Sequence, residues 1–497
     1  MLILTNPPSG EAIYTDCEVK VNGIDAKLTC VRVSSMPYNT AWPGYQRPID
    51  QTELTPLLSF SSDAPVTITV TYKNQPQEVI IRPLSRKINT HIEKSTLTFT
   101  LSESGAYTVE ADGFHNALHI FFDSIRDFEK NICGDTVIQY GAGIHEIGKV
   151  ELFSDTTVII DRDAVIYGSF TAIDAENISI LGYGTIDGSR EVRDSESSLL
   201  PLDYYSPIPK DKGAFMSFLN KECVLDGILR FYRCKNILVD GVTLRDSSTF
   251  ALIMAGCDDS VISNVKAIGM WKYNSDGIDL FNCKGIEIKD CFLRCFDDCI
   301  VLKGICGWDE RDMENISVKN CVTWCDWGRN LEIGAETNAP NYKNILFEGC
   351  DCIHGSTMFC DIQHHNRAHI SNITFKNINC EYTKYQLSDT YQYDMSAPFE
   401  VSYPTRHPVL INAEIYDMGL FSKDGLHGSI HGINFKSIRM LTDGDNIPAP
   451  LIILRGLNES HTVDGVLIDS IYRNESRLEY DGIEWHINEY AKNVEFF

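Results

Sequence analysis

The stretch that decides the fold is NISVKNC at residues 315–321, which recurs as NILFEGC at 344–350 and as NITFKNI at 372–378. Related stretches begin at residues 177, 236, 260, 285, 432 and 465, and between residues 237 and 373 the aligned isoleucines are 24–30 residues apart. One such strand is too short to bury its own apolar face, so successive copies must stack as coils. We therefore predict an all-β solenoid, a right-handed parallel β-helix, over residues 126–497.

A leucine-rich repeat is the rival solenoid, but the copies lack its leucine spacing and contain no helical stretch. Cysteines recur near the ends of the predicted strands, at positions 283, 291, 321, 350 and 380. A small apolar side chain can pack inward there against the next coil. The alternative is a metal site at Cys291, Cys295 and Cys299, but the sequence has no paired Cys-x-x-Cys units with matching histidines. We expect reduced thiols, and neither a metal nor a cofactor.

The first part of the chain has a different pattern of apolar and polar residues. Apolar residues alternate strictly with polar ones in VTITVT at 66–71 and in LTFTL at 97–101. This alternation is typical of half-buried antiparallel strands. Several short strands of this kind with turn residues between them predict an N-terminal β-sandwich domain over residues 1–125.

The charge of the chain excludes some classes of partner. Its 497 residues include 43 basic and 69 acidic ones, which gives a net charge of −26. Such a field repels phosphate backbones and anionic membranes, so we expect neither nucleic acid nor a membrane as a partner. Self-association into a homo-oligomer stays open.

The first residues, MLILTNPPSGEAIY, contain no basic leader, and their apolar stretch is only four residues long before Thr5. A signal peptide needs a basic start and a longer apolar segment, and a membrane-spanning helix needs about 20 apolar residues. The sequence therefore predicts a cytoplasmic protein, where thiols stay reduced.

The densest acidic cluster of the repeat lies in WKYNSDGID at 271–279 and FDDCIVLKG at 296–304. Asp276 and Asp297 are 21 residues apart, which is close to one coil, so these carboxyls and that of Asp298 can converge on one patch. Glycosidic cleavage requires one protonated carboxylic acid and one or two carboxylates. Asp297 and Asp298 can both serve only where the strand bends, because neighbouring residues of a regular strand face opposite sides. The alternative is that all three are ordinary turn aspartates.

NSDGID at 274–279 and DDCIVLKG at 297–304 resemble two signature motifs of family 28 of the glycoside hydrolases, the polygalacturonase-like parallel β-helix enzymes. The resemblance covers roughly residues 130–490. It implies that Asp297 is the general acid, that Asp276 and Asp298 position and activate a water molecule, and that the anomeric carbon is inverted.

The chain departs from this family at two places. The family's Gly-His-Gly motif should fall in WGRNLEIG at 327–334, where Arg329 replaces the histidine and could share its role with Glu332. The family's Arg-Ile-Lys motif, which holds a uronate carboxylate, should fall in FCDIQHHN at 359–366 and is absent. Asp361 and the two histidines found there suit neutral hydroxyls better. The residues expected to bind substrate are Asn274, Lys303, Arg329, Glu332, His364 and His365.

The primary functional hypothesis is an inverting glycoside hydrolase that acts on an oligosaccharide or polysaccharide, with a chain end as the expected point of attack. The sugar could be neutral or uronic. A polysaccharide lyase or epimerase on the same solenoid is the alternative, with Arg245, Lys303 or Arg329 as the base. A carbohydrate-binding β-helix without catalysis is the third hypothesis.

Three segments rich in aromatic residues could add to a sugar-binding surface. They are 42–53, with Trp42 and Tyr45; 190–220, with Tyr204 and Tyr205; and the stretch that contains Tyr382, Tyr385, Tyr391, Tyr393 and Tyr403. Tyrosine and tryptophan suit the faces of sugar rings. They also dominate interfaces inside proteins, so a packing role for these segments stays open.

Overall fold

The computed structural model describes residues 1–35, 49–191, 211, 227–305, 308, 310–383, 390–391, 400–401, 407–417, 425–444 and 447–497. Within these residues the protein is built almost entirely of strands. Short 3-10 helices lie at Ile49–Gln51, Leu84–Arg86, Phe128–Asn131 and Tyr480–Gly482.

Two mainly antiparallel sheets form the N-terminal β-sandwich. Val66, Ile68 and Val70 are fully buried and pack in one core with Leu58 and Phe60 of the opposite sheet. The alternation in the sequence therefore predicted the buried side correctly. One sheet contains β1, β4, β5, β7, β10 and β11, and the other contains β2, β3, β6, β8 and β9. The strands are β1 (Leu2–Leu4), β2 (Cys17–Val21), β3 (Ile24–Ala26), β4 (Thr29–Ser34), β5 (Thr52–Ser62), β6 (Val66–Tyr72), β7 (Val79–Arg82), β8 (Thr90–Glu93), β9 (Thr96–Leu101), β10 (Gly105–Ala111) and β11 (Leu118–Asp123).

The rest of the described chain winds into the right-handed parallel β-helix that the repeat predicted. Its strands are β12 (Thr136–Tyr140), β13 (Gly143–Leu152), β14 (Thr156–Ile160), β15 (Ala164–Ile173), β16 (Glu176–Gly182), β17 (Thr185–Asp187), β18 (Gly227–Tyr232), β19 (Lys235–Asp240), β20 (Thr243–Arg245), β21 (Phe250–Ala255), β22 (Asp258–Ser263), β23 (Lys266–Met270), β24 (Ile278–Phe281), β25 (Lys284–Lys289), β26 (Phe292–Cys295), β27 (Ile300–Gly304), β28 (Met313–Lys319), β29 (Val322–Cys325), β30 (Arg329–Thr337), β31 (Asn341–Glu348), β32 (Asp351–His354), β33 (Met358–His364), β34 (His369–Tyr382), β35 (Thr390–Tyr391), β36 (Glu400–Val401), β37 (Val409–Ile415), β38 (Ser429–Thr442), β39 (Leu451–Arg455), β40 (Val463–Arg473), β41 (Ser476–Arg477), β42 (Glu484–Ile487) and β43 (Ala491–Phe496). β35 and β36 pair only with each other.

The coils present three faces, each a ladder of parallel strands. The front face contains β18, β21, β24, β27, β30, β33, β37, β39 and β42. The docking face contains β17, β20, β23, β26, β29 and β32, and the rear face contains β16, β19, β22, β25, β28, β31, β34, β38, β40 and β43. Because each coil repeats the same path about 4.8 Å further along, residues at matching positions stack into columns.

The leading asparagine of the repeat sets the corner before each rear-face strand. Asn315, Asn344 and Asn372 all adopt positive φ, which asparagine tolerates better than most residues. Their side-chain amides form a column, in which Asn344 donates to Asn315 at 3.0 Å and Asn372 donates to Asn344 at 2.7 Å. The isoleucines that follow, and the five cysteines that the spacing singled out, lie in the core of the helix as predicted. The cysteines of the described residues are free thiols.

The sandwich packs on the docking face. Val31 and Val33 of β4 and Phe121 of β11 share a buried cluster with Phe292 and Trp324 of the helix. Buried ion pairs reinforce this contact, among them Lys266 with Asp123 at 2.6 Å. Since the docking face leads directly into the front face, this packing fixes the corner between the two faces.

In the described part of the chain, no helix has the length and apolar character needed to cross a membrane.

Candidate active site

The three predicted aspartates lie at the corner where the docking face turns into the front face. Asp297 and Asp298 occupy a bend between β26 and β27, and Asp276 occupies the matching bend before β24. The backbone N–H of Gly277 donates to the carbonyl of Asp298 at 2.8 Å, so the two bends are in register on neighbouring coils. Because the aspartate pair lies in a bend and not in a regular strand, the alternation of strand side chains does not separate Asp297 from Asp298.

Lys303 of β27 lies among the acids of this corner. Its Nζ is 2.8 Å from Asp276 Oδ2, 3.2 Å from Asp279 Oδ1 and 3.7 Å from Asp298 Oδ2. Burial lowers the pKa of this ammonium group, but the surrounding carboxyls outweigh it and hold the pKa well above its usual value. Burial raises the pKa of Asp279 to about 7, although Lys303 acts against this shift. Lys303 is therefore a permanent cation that is already paired within the site.

Arg329 lies next to Asp298 on the following coil. Its backbone N–H donates to Asp298 Oδ1 at 3.1 Å, and its guanidinium is 3.7 Å from the same oxygen. The side chain of Arg329 is 29% exposed, whereas that of Asp298 is only 8% exposed. The chain thus holds the Asp298 carboxyl in place through the arginine that replaces the expected histidine.

The pKa values of Asp297 and Asp298 move in opposite directions. Burial, followed by the charges of Asp298 and Asp276, raises the pKa of Asp297 well above its usual value. Burial also acts to raise the pKa of Asp298, but the positive charges of Arg329 and Lys303 outweigh it and lower that pKa. The surroundings therefore favour the protonated form of Asp297 and the ionised form of Asp298.

Gly328 brings the backbone of the next coil against both carboxyls. A Cβ atom at this position would lie 2.5 Å from Asp298 Oδ1 and 2.6 Å from Asp297 Oδ1. These two oxygens are therefore no farther apart than the sum of the two distances. Only glycine leaves room for both carboxyls here, because real Cβ contacts are longer.

A column of polar side chains continues along the front face from the aspartates. Glu332, Asp361 and Asn412 are partners in successive strand pairs and are fully buried. Asp361 accepts hydrogen bonds from Asn412 Nδ2 at 2.8 Å and from Gln363 Nε2 at 3.0 Å. The carboxyl group of Glu332 donates a hydrogen bond to that of Asp298, and this bond also lowers the pKa of Asp298. Burial, followed by the charge of Asp298, raises the pKa of Glu332 well above its usual value.

The remaining predicted binding residues lie in different surroundings. Asn274 has a φ of 52° in the bend before Asp276 and is partly exposed. His364 is fully buried, and its Nδ1 is 2.7 Å from Thr337 Oγ1. His365 stacks on Tyr416 with ring centroids 4.8 Å apart. Binding roles for these three residues stay predictions.

The sequence interpretation did not assign roles to four residues of this site. Asp279 stands three residues after Asp276 in the same motif, and the motif itself could have indicated it. Gly328 precedes Arg329, but only the coordinates reveal its contact with the two carboxyls. Gln363 and Asn412 bind Asp361, and 51 residues separate Asn412 from Asp361, so the period of the coils does not indicate that pair.

Of the aromatic segments, residues 36–48, 192–210, 212–226, 384–389, 392–399 and 402–406 lie outside the described residues. Tyr204, Tyr205, Tyr385, Tyr393 and Tyr403 are among them. Within the described ranges, no three His, Cys, Asp or Glu side chains are grouped so that they could hold a metal ion.

The comparisons with known proteins agree with this fold and its motifs. The model of the glycosyl hydrolases family 28 matches residues 142–398, which is more than half of the chain. An exopolygalacturonase from Zea mays is 24% identical over 241 residues, which cover 41% of this chain and 54% of that protein. A dextranase from Arthrobacter sp. (strain CB-8) is 24% identical over 244 residues, which cover 40% of this chain and 36% of that protein.

Among solved structures, Dex49A from Penicillium minioluteum is similar with a TM-score of 0.51 and 13% identity, and the alignment covers 99% of this chain and 89% of that one. This likeness concerns the fold. The chain spans 18% to 54% of the length of the curated relatives described as polygalacturonase and exopolygalacturonase.

Proposed function

Because the chain belongs to family 28 of the glycosyl hydrolases, we propose that it hydrolyses a glycosidic bond of an oligosaccharide or polysaccharide in a single inverting step. Asp297 is the general acid of this proposal. Asp298 and Asp276 hold and activate the attacking water.

The observation that carries the proposal is the pair of opposite pKa shifts on adjacent carboxyls. Partial burial and the charges of two neighbouring acids favour the protonated form of Asp297, whereas Arg329 and Lys303 favour the ionised form of Asp298. Glycoside hydrolysis needs one proton donor and one proton acceptor at the same bond. A set of turn aspartates in water would titrate alike, so the difference between these two favours catalysis.

The proposed hydrolysis transfers one proton from Asp297 and one proton to Asp298. Asp297 gives its proton to the glycosidic oxygen as the bond to the anomeric carbon breaks. The water oxygen attacks that carbon, and Asp298 takes the proton that the water releases. After the step Asp298 carries a proton and Asp297 is a carboxylate, so one proton transfer through solvent restores the starting state.

The configuration of the product tests whether the reaction inverts the anomeric carbon. The test matters because the oxygens of Asp297 and Asp298 are closer together than the roughly 6.5–9.5 Å usual between the two carboxyls of inverting enzymes. Proton NMR during the first turnovers distinguishes the two outcomes. Inversion is expected from the family pattern, with Asp276 of the neighbouring coil completing the water site. Retention would indicate a covalent intermediate on Asp298 or Asp276 and would overturn the single-step scheme.

The functional test is Asp297→Asn, which keeps the size of the side chain and removes the transferable proton. We expect kcat on oligosaccharides to fall by about 10²–10⁴ with an unchanged melting temperature. Asp290→Asn is the matched control, because Asp290 occupies an exposed corner with positive φ, which asparagine tolerates. Full activity in Asp297→Asn, or a wild-type product with an ultraviolet-absorbing double bond as a lyase forms, would refute the proposal.

A further inference from the structure

The surroundings of Arg329 bear on the chemical class of the sugar, provided that the proposed hydrolytic function holds. Arg329 is the more exposed of the two cations that form salt bridges with the predicted aspartates, at 29% against 10% for Lys303. A sugar that carried a carboxylate would need an accessible cation at this place, because the other cation, Lys303, is already paired with Asp276 and Asp279.

The positive charge of Arg329 is already offset. Its guanidinium is 3.7 Å from Asp298 Oδ1 and 3.7 Å from Asp361 Oδ2, and both carboxyls are buried. Burial raises the pKa of Asp361 to about 6, so this carboxyl is ionised at neutral pH. Asp298 and Asp361 thus share this one guanidinium, and the acid groups of the site outnumber its two cations, Arg329 and Lys303.

Glu332 is a further acid group beside Arg329. Its carboxyl group is 4.0 Å from Arg329 Nε and is fully buried. Burial, followed by the charge of Asp298, raises the pKa of Glu332, so its surroundings disfavour a further negative charge. A uronate carboxylate from a substrate would meet the same repulsion.

The guanidinium nevertheless remains a hydrogen-bond donor. Its contacts with the carboxyls are 3.7–4.0 Å long, and although Nε is buried, the side chain as a whole is 29% exposed. An uncharged hydroxyl can accept from such a donor without adding charge to the patch. We propose that the sugar bound beside Arg329 is neutral, and that Asp361 excludes uronates by offsetting the charge of this arginine.

The experiment uses two ligands that differ only in charge, trigalacturonic acid and its carboxyl-reduced form, an α-1,4-linked galactotriose. Binding of both to the full-length Asp297→Asn protein is measured by calorimetry at pH 7.5, where Asp361 is ionised. We expect the reduced form to bind at least about tenfold more tightly, because its hydroxyl groups add no negative charge beside the carboxylates. Preference for the acid, or no difference between the two forms, would overturn the inference.

Asp361→Asn in the same background tests the mechanism of exclusion. Removal of this charge leaves Arg329 less compensated, so the affinity for trigalacturonate should rise relative to the reduced form by about tenfold. The matched control is Asp290→Asn, which should leave the ratio unchanged. An unchanged ratio in Asp361→Asn would overturn the role of Asp361.

Failure of the neutral-sugar inference and failure of the hydrolase proposal give different results. Should the wild-type protein hydrolyse uronides, the neutral-sugar inference fails and the hydrolase proposal stands. Should it cleave with formation of a double bond, the hydrolase proposal fails, whichever ligand binds more tightly.

Discussion

Two buried charge clusters of this protein look alike in composition and differ in their hydrogen bonds. At the junction of the sandwich and the helix, Arg82 is fully buried among Glu110, Glu381 and Asp443. Each of its donor nitrogens meets a carboxylate, at 2.9 Å for Glu110 and 2.6 Å for Asp443. At the front face, Arg329 also stands among three carboxyls, but at 3.7–4.0 Å.

The difference indicates which cluster serves the fold and which serves a ligand. Arg82 and His354 outweigh the effect of burial and lower the pKa of Glu110 to about 2. The junction is not uniform, since burial raises the pKa of Glu381 to about 8 in spite of Arg82. At the front face, Lys303 Nζ is 3.2 Å from Asp279 Oδ1, and Arg329 Nε is 4.0 Å from Glu332 Oε1, so these buried carboxyls are held more loosely. Buried polar groups normally have short hydrogen bonds, so loosely held carboxyls are unusual in a cluster that only stabilises the fold.

The largest expected effect on stability comes from breaking the junction with Arg82→Met. Removal of the arginine leaves buried carboxyls without their partner, which should destabilise the protein by about 3–5 kcal/mol. Urea denaturation measures the change. Lys87→Met is the control, because Lys87 and its partner Glu475 are each 74% exposed, and such an exposed pair contributes little to stability. Equal effects in the two variants would contradict the structural role of the junction.

The second-largest expected effect is the loss of catalytic rate in Gly328→Ala at the front face. The added methyl group would displace both Asp297 and Asp298, and a misplacement of about 1 Å in a catalytic group costs about 10²-fold in rate. Steady-state kinetics on the best oligosaccharide substrate checks this. Gly141→Ala is the matched control, since a Cβ atom there meets nothing within 4 Å. Activity of the Gly328→Ala variant within a factor of two of wild type would show that the two carboxyls tolerate displacement.

The smallest of the three effects concerns Asp279→Asn and depends on pH. The folded-state pKa of Asp279 is raised to about 7 from 3.8, so its stabilising contribution is present below pH 4 and is lost as the pH rises toward 7. The asparagine variant does not incur this loss. Its melting temperature relative to wild type should therefore rise from pH 4 to pH 8. A difference that stays constant with pH would mean that Asp279 titrates normally.

The sequence was sufficient for those features that follow the period of the coils. The leading asparagines, the core isoleucines and the aspartates at 276, 297 and 298 recur or converge at that period, and the structure places them together. The junction followed no such rule, because Arg82 and its partner Glu381 are 299 residues apart and belong to different domains. The contact of Gly328 depends on how closely two bends approach, which no spacing in the sequence encodes.

The central claim is that Asp297 donates the proton and Asp298 receives it. The most direct test compares the rates on two glycosides that differ only in the leaving group. The leaving group is a second sugar in one glycoside and 4-nitrophenol in the other. A 4-nitrophenol group leaves without a proton, so Asp297→Asn should lose about 10²–10⁴ in kcat on the sugar leaving group and far less on the aryl glycoside. Asp298→Asn should lose equally on both. Equal losses for Asp297→Asn, or rescue of Asp298→Asn by the aryl leaving group, would contradict the assignment.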